Sequence, residues 1–222
     1  WWNNAEKIEY TNLADLAVEG MNAGTPQVYA PAFTNYVEGI YVGYKYYETA
    51  AQEGSIDYDK TVQYPFGYGL SYTKFEQKMG ELDEKDGQIS ADVEVTNTGN
   101  VAGKDVVEVY YNPPYTNGGI EKSSANLIEF AKTDLLQPGE SQTVTVTFSI
   151  EDMASYDENN AHAYVLEKGD YVISINSDSH TVLDQKTYTA DTDLVYEGEN
   201  KRASDDIAAT NVFEDAKGNV TY

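Results

Sequence analysis

The chain contains no cysteine, which excludes disulfides and thiolate metal sites outright. Basic residues are scarce: 14 Lys and Arg stand against 38 Asp and Glu, a net charge of −24. A surface this acidic repels nucleic acid and anionic membrane headgroups, so neither is an expected partner. No apolar run approaches the roughly 20 residues that cross a bilayer as a helix. The start, Trp1-Trp2-Asn3-Asn4, lacks Met and lacks the basic-then-apolar order of a signal peptide. It reads as the edge of an excised or processed piece. Gly67, Gly69 and Gly99 are not followed by Lys-Ser/Thr at phosphate-loop spacing, and Ser71 and Ser155 lack a nucleophile-elbow setting. His162 and His180 have no paired His nearby, which argues against zinc. The acidic groups Asp83, Glu84, Asp86 and Asp191, Asp193 lack the alternating ligands and glycine of a calcium loop. No metal and no cofactor is expected.

Tyrosine, by contrast, is abundant: 20 Tyr against 6 Phe. Such rings suit half-buried sheet faces that keep a hydroxyl wet. Three zones follow one another. Residues 1–71 are irregular, with Leu13, Leu16, Ala17 and Met21 at helical spacing behind a candidate cap, Asn12. Two aromatic, glycine-punctuated stretches follow, at 36–47 and 64–72. Pro65, Gly67 and Gly69 exclude regular helix from the second. Residues 72–190 alternate with period two: Ile89, Ala91, Val93, Val95; then Val144, Val146, Phe148, Ile150; then Tyr171, Ile173, Ile175. Further runs lie at 106–111, 127–133 and 163–166, separated by turns such as Thr98-Gly99-Asn100 and Pro138-Gly139. This pattern predicts a mainly β protein: an antiparallel sandwich of roughly seven short strands, immunoglobulin or fibronectin III-like, with an irregular, partly helical N-terminal segment. Residues 191–222 are polar and acidic and read as a linker or extended arm.

Four segments in order resemble the family 3 glycoside hydrolases of β-glucosidase type. Residues 36–47, YVEGIYVGYKYY, are similar to the close of that family's α/β sandwich domain. Residues 64–75, YPFGYGLSYTKF, resemble its passage into a fibronectin type III-like domain. Residues 93–99 with Val101-Ala102-Gly103 resemble that domain's second strand and turn, and residues 135–141, LLQPGES, a later strand start. The resemblance covers residues 33–190. The tail at 196–222 is similar to the connector of members whose barrel domain follows the fibronectin-like domain.

The resemblance implies a parent enzyme that hydrolyses terminal β-linked sugars with retention, using two carboxylates about 5 Å apart. Neither family motif for that pair occurs in these 222 residues, so no catalytic residue is carried over and the chain by itself is expected to be inactive. Glu38 sits within a motif but is read as a structural acid at a domain junction. Tyr36, Glu38, Tyr41, Tyr44, Phe66, Tyr68 and Tyr72 are the expected contacts to the parent's remaining α/β sandwich and barrel domains. The expected role is accessory and structural. An alternative is a carbohydrate-binding module that recruits the enzyme to polysaccharide through Tyr110, Tyr111 and Tyr115. Strand neighbours point to opposite faces, so only one of Tyr110 and Tyr111 could join Tyr115 in such a platform.

Overall fold

The computed structural model describes residues 39–207, together with the backbone pairing of four short strands that precede them. The chain divides into a unit ending at Gly43 and a larger one beginning at Tyr44. In the first, β1 (Glu9–Tyr10) pairs antiparallel with β4 (Thr34–Asn35), and β2 (Val18–Asn22) with β3 (Thr25–Tyr29). Met21, expected on a helix, therefore lies on a strand. Gly20 is a poor helix former, and an antiparallel ladder takes up the backbone hydrogen bonds here instead. Asn12, Leu13, Leu16 and Ala17 lie outside the described residues, as do Tyr36 and Glu38.

The second unit opens with α1 (Tyr44–Gln52) and a single turn, α2 (Tyr58–Thr61). A strap without regular structure runs from residue 62 to 74. The sandwich follows. One sheet joins β5 (Phe75–Lys85), β6 (Gln88–Asn97) and β9 (Ser141–Ser149), in that order. The other has β7 (Val106–Asn112) and β8 (Asn126–Lys132), with β12 (Gly169–Asn176) and β13 (Val182–Ala190), in the order β13-β12-β7-β8. A small third sheet pairs β10 (Ser155–Asp157), β11 (Ala163–Leu166) and β14 (Leu194–Tyr196). Every pairing is antiparallel.

Period two decides what fills the core. Ile89, Val93 and Val95 of β6, Val146 of β9, Val107 and Val109 of β7, and Ile173 and Ile175 of β12 are all buried between the two main sheets. Each such side chain contributes about 1.5–3 kcal/mol on leaving water. With no disulfide, this packing carries the sandwich. The intervening residues face out, and on β6 they are Asp92, Glu94 and Thr96.

Three of the sequence segments singled out above meet at one buried side chain. Asn97 ends β6 with no exposed surface. Its Oδ1 accepts hydrogen bonds from the Thr73 hydroxyl (2.7 Å) and the Gly99 N–H (3.1 Å). Its Nδ2 donates to the carbonyls of Val101 and Leu136, both at 2.9 Å. The Gly139 N–H donates to the Asn97 carbonyl and the Asn97 N–H to that of Glu140. Thr73 packs so closely here that any Cβ at Gly99 would collide with its hydroxyl and with the Lys74 backbone nitrogen. The glycine is therefore a packing requirement.

After β13 the chain stays on the sandwich. β14 pairs with β11, and the Arg202 guanidinium lies 3.4 Å over the Tyr164 ring while gripping Asp205 through two nitrogens. The turn between β10 and β11 is tied by Asp157. Its carboxylate accepts the backbone N–H groups of Asn159, Asn160 and Ala161 at 3.0–3.1 Å. Burial alone raises its pKa, but these three donors outweigh that and hold the carboxyl below its ordinary value of 3.8. A depressed pKa means the stabilisation is full above 3.8 and is lost as pH falls below it. Asp157→Asn should therefore lose about 1–2 kcal/mol at pH 7. It should also show a smaller drop in urea midpoint between pH 5 and pH 2.5 than the wild type. Equal drops would refute the assignment.

Candidate functional site: a polar clasp under an aromatic strap

The inner face of the four-stranded sheet belongs to the core. Its outer face carries Glu108, Tyr110 and Asn112 from β7, opposite Asn176, Ser174 and Val172 from β12. α1 covers this face. Tyr44, Glu48 and Gln52 recur every four residues, which places them on one side of the helix. Each makes a hydrogen bond to the sandwich. The Tyr44 hydroxyl accepts the Leu127 N–H at 3.1 Å, and Gln52 Oε1 accepts from Asn112 Nδ2 at 3.1 Å. Thr49 Oγ1, beside them, accepts the Ser124 N–H at 3.0 Å. The helix therefore docks largely through polar side chains.

Glu48 is the centre of the contact and is only 7% exposed. Its Oε1 accepts from the Tyr58 hydroxyl (2.6 Å) and the Ser179 hydroxyl (2.8 Å), and its Oε2 lies 2.8 Å from His180 Nδ1. The Tyr58 and His180 rings stack at 3.6 Å, almost parallel. A buried carboxylate is costly unless its oxygens are satisfied, and here three side chains from α2 and the β12–β13 turn do so. Burial, and then the hydrogen bond to Glu48, push the Tyr58 phenol well above its usual range. The turn is itself braced by Asp178, whose Oδ1 accepts the N–H groups of His180 and Thr181.

The strap lies over the same region. Phe66 stacks on Tyr44 at 4.7 Å, and Tyr44 meets Tyr110 edge-on at 6.3 Å. The Phe66 carbonyl accepts the Ser179 N–H at 2.8 Å. Gly67 has φ +87°, and a Cβ there would come within 2.7 Å of a Glu108 carboxylate oxygen. The glycine of the Pro65-Phe66-Gly67-Tyr68 turn is thus required both by its backbone angle and by close approach to the sheet. Burial raises the Glu108 pKa, despite the Tyr110 hydroxyl that donates to it at 2.9 Å.

The outer edge of the strap is uncovered. Tyr64, Phe66, Tyr68, Leu70 and Tyr72 are between 48% and 98% exposed. Ile40 and Val42, at the end of the first unit, are exposed too. Of the expected interface residues, Tyr44 and Phe66 come together, Tyr68 and Tyr72 lie on the open strap, and Tyr41 is half-buried. The three tyrosines considered for sugar stacking do not share a surface. Tyr110 is 1% exposed beneath the clasp, Tyr111 packs against the sandwich core, and Tyr115 is 42% exposed on the loop after β7. Burial pushes the Tyr111 phenol up to about 12. The Glu48 cluster escapes sequence reasoning, because its members stand up to 132 positions apart.

Residues 105–179 match the fibronectin type III-like domain family. β-Glucosidase A of Butyrivibrio fibrisolvens is 43% identical over 159 residues, which is 63% of this chain and 18% of the relative. Among solved structures, the β-glucosidase of Kluyveromyces marxianus in complex with glucose superposes with a TM-score of 0.65 at 32% identity. It covers 73% of this chain and 18% of its own. The GH3 β-glucosidase of Bifidobacterium adolescentis gives 0.61 at 30% identity, over 71% and 22%. The chain thus spans less than a quarter of each relative.

Proposed function

Because the chain belongs to the fibronectin-like C-terminal region of the family 3 glycoside hydrolases, we propose that it serves a β-glucosidase as an architectural part. The enzyme would act on terminal β-linked sugars, and the chemistry would lie in its other domains. The observation that carries this reading is the strap. Its inner side is fixed on the sandwich by Tyr44, Gly67 and Ser179, while Tyr64, Tyr68, Leu70 and Tyr72 along it stay largely exposed and Phe66, stacked on Tyr44, is half-exposed. A soluble surface rarely leaves such a row uncovered unless another body covers it. The α/β sandwich and barrel domains of a longer enzyme are that body, and the clasp holds the strap in the shape they meet. The tyrosine-platform alternative retains a single exposed ring, Tyr115.

The test compares the chain with a full-length family enzyme that carries it. Leu70→Ser with Tyr72→Ser should move the stability of this chain alone by no more than about 0.5 kcal/mol, since both side chains are open to solvent. The same pair should cost the full enzyme about 2 kcal/mol of lost contact, which for a chain several times this length lowers the melting temperature by about 1 °C. The chain alone should not turn over an aryl β-glucoside. An unchanged melting temperature in the full enzyme, or turnover by this chain, would overturn the proposal.

A further inference from the structure

The loop between β7 and β8, residues 113–125, is anchored at both ends and open at its tip. Pro113 is buried where the loop leaves β7. Toward β8, Lys122 is buried, donates to the Pro114 carbonyl at 2.6 Å and pairs with the Glu167 carboxylate. Ser123 and Ser124 are buried too, and the Ser124 N–H is tied to Thr49 of α1. Residues 115–119, between these anchors, are all exposed. They hold Asn117-Gly118, the single Asn-Gly pair in the sequence. The pair forms the middle of a turn that the Gly119 N–H closes on the Thr116 carbonyl at 2.9 Å. Gly118 has φ +84°, as the third residue of a type II turn requires. A Cβ built on it would meet nothing within 4 Å. Neither the Asn117 side-chain amide nor the Gly118 N–H has a hydrogen-bond partner among the described residues.

A backbone nitrogen that has lost its proton can attack the side-chain amide carbon of the Asn before it. A side chain on the attacking residue crowds that approach, and Gly has none. At this turn the Gly118 nitrogen gives its proton to water or hydroxide and bonds to Asn117 Cγ, and the side-chain nitrogen leaves as ammonia. Water then opens the cyclic imide. Addition at Cγ breaks the new bond and yields aspartate in the ordinary backbone. Addition at the Asn117 main-chain carbonyl carbon breaks the original peptide bond instead and yields isoaspartate, with the chain running through the side chain. Either route consumes one water, releases one ammonia and needs no oxidant. The attack requires rotation of the Asn117–Gly118 peptide, which the Gly119 hydrogen bond opposes. One exposed neutral hydrogen bond slows such a step by a factor of only about two to ten. Other asparagines lack one requirement or another. Asn112 precedes Pro113, which has no N–H, while Asn97, Asn126 and Asn176 are buried. We propose that Asn117 is a site of spontaneous deamidation in the folded protein, converted by water to aspartate and isoaspartate through a cyclic imide with Gly118. The change adds one negative charge to a chain that already carries −24. The site uses neither the strap nor the clasp, and its failure would leave the architectural reading intact.

The 222-residue chain is aged at pH 6 and at pH 8, digested with trypsin and read by mass spectrometry. An isoaspartyl methyltransferase with a labelled methyl donor gives a second readout. Trypsin cuts after Lys104 and Lys122, so Asn117 is followed on the peptide of residues 105–122. That peptide should acquire the mass of an acid in place of an amide, as two products that separate chromatographically, one of them a methyl acceptor. Hydroxide promotes the first step, so conversion should be faster at pH 8. The rate in the folded chain should stay within about tenfold of the rate in the guanidinium-unfolded chain, the cost of the one turn bond. Peptides that carry Asn97, Asn126 or Asn176 should keep their amides over the same time. Gly118→Pro has no N–H at the attacking position and should abolish both products, whatever it does to the turn. Conversion at Asn117 no faster than at the buried asparagines, conversion only after unfolding, or conversion undiminished in Gly118→Pro would overturn the site.

Discussion

Asn97→Ala should destabilise the chain by about 3–5 kcal/mol, read as a lowered urea midpoint by circular dichroism at pH 7. The magnitude follows from what the substitution strands. Four groups bond the Asn97 amide: the Thr73 hydroxyl, the Gly99 N–H, and the carbonyls of Val101 and Leu136. The site has no exposed surface through which water could replace the amide. Each buried group left without a partner costs about 1–3 kcal/mol, partly relieved by local relaxation. Against a total of about 5–15 kcal/mol for a domain, this is a large fraction. Asn97→Asp keeps the two acceptor contacts but turns a carboxylate oxygen toward the Val101 and Leu136 carbonyls in a site without solvent, so it should cost at least as much as alanine. Thr96→Ala, one residue away on the open face, should cost under about 1 kcal/mol, since it loses only a 2.7 Å contact with the Ser141 hydroxyl. A cost for Asn97→Ala as small as that of Thr96→Ala would show that the three segments are not held together there.

That junction explains why short, separated stretches of sequence carried so much information. Thr73, Asn97, Gly99 and Leu136 each belong to a recognisable segment, and they are recognisable because they must fit one another. The core strands were legible for a simpler reason. β6, β9 and β12 bury one face and wet the other, so hydrophobic alternation survives in the sequence. β5 and β13 were not legible as strands. They are sheet edges, largely exposed, and β5 also carries Gly80 and a bulge between Met79 and Leu82. Burial alternates along both, but inward positions are taken by Gln77, Asp184 and Lys186, so no hydrophobic alternation marks them. α1 was hidden for a different reason. Its docking residues, Tyr44, Glu48, Thr49 and Gln52, are polar or amphipathic, so the apolar stripe that marks a surface helix is missing. Its sequence of adjacent tyrosines suggests strand as readily as helix. That Tyr110 and Tyr111 point to opposite faces followed from strand geometry, but which of them faces outward, and that Tyr110 is buried there, did not, because α1 and the strap that cover it could not be placed.

Glu48→Ala tests what holds that helix. Tyr58 and Ser179 would each lose an acceptor, and α1 would lose its central attachment. Hydrogen bonds to a charged group contribute about 1.5–3 kcal/mol each before relaxation. The His180 contact adds less, because its side chain is 42% exposed and solvent screens the pair. A total cost of about 2–4 kcal/mol is expected. Glu48→Gln should be far milder, about 1 kcal/mol. Its amide oxygen can still accept from both hydroxyls, and its NH₂ can donate to His180 Nδ1 once the imidazole carries its proton on Nε2. The distribution of the loss matters more than its size. Amide exchange at residues 44–52 should accelerate sharply in Glu48→Ala at neutral pH, while amides of β6 and β12 keep the protection of the global fold. Tyr44 and Phe66 form one stack, so the strap should loosen with the helix. Unchanged exchange across α1 would mean that ring stacking and Thr49 hold the helix unaided. Fast exchange there, with an intact sandwich, would identify the Glu48 clasp as the contact that fixes the aromatic strap in place.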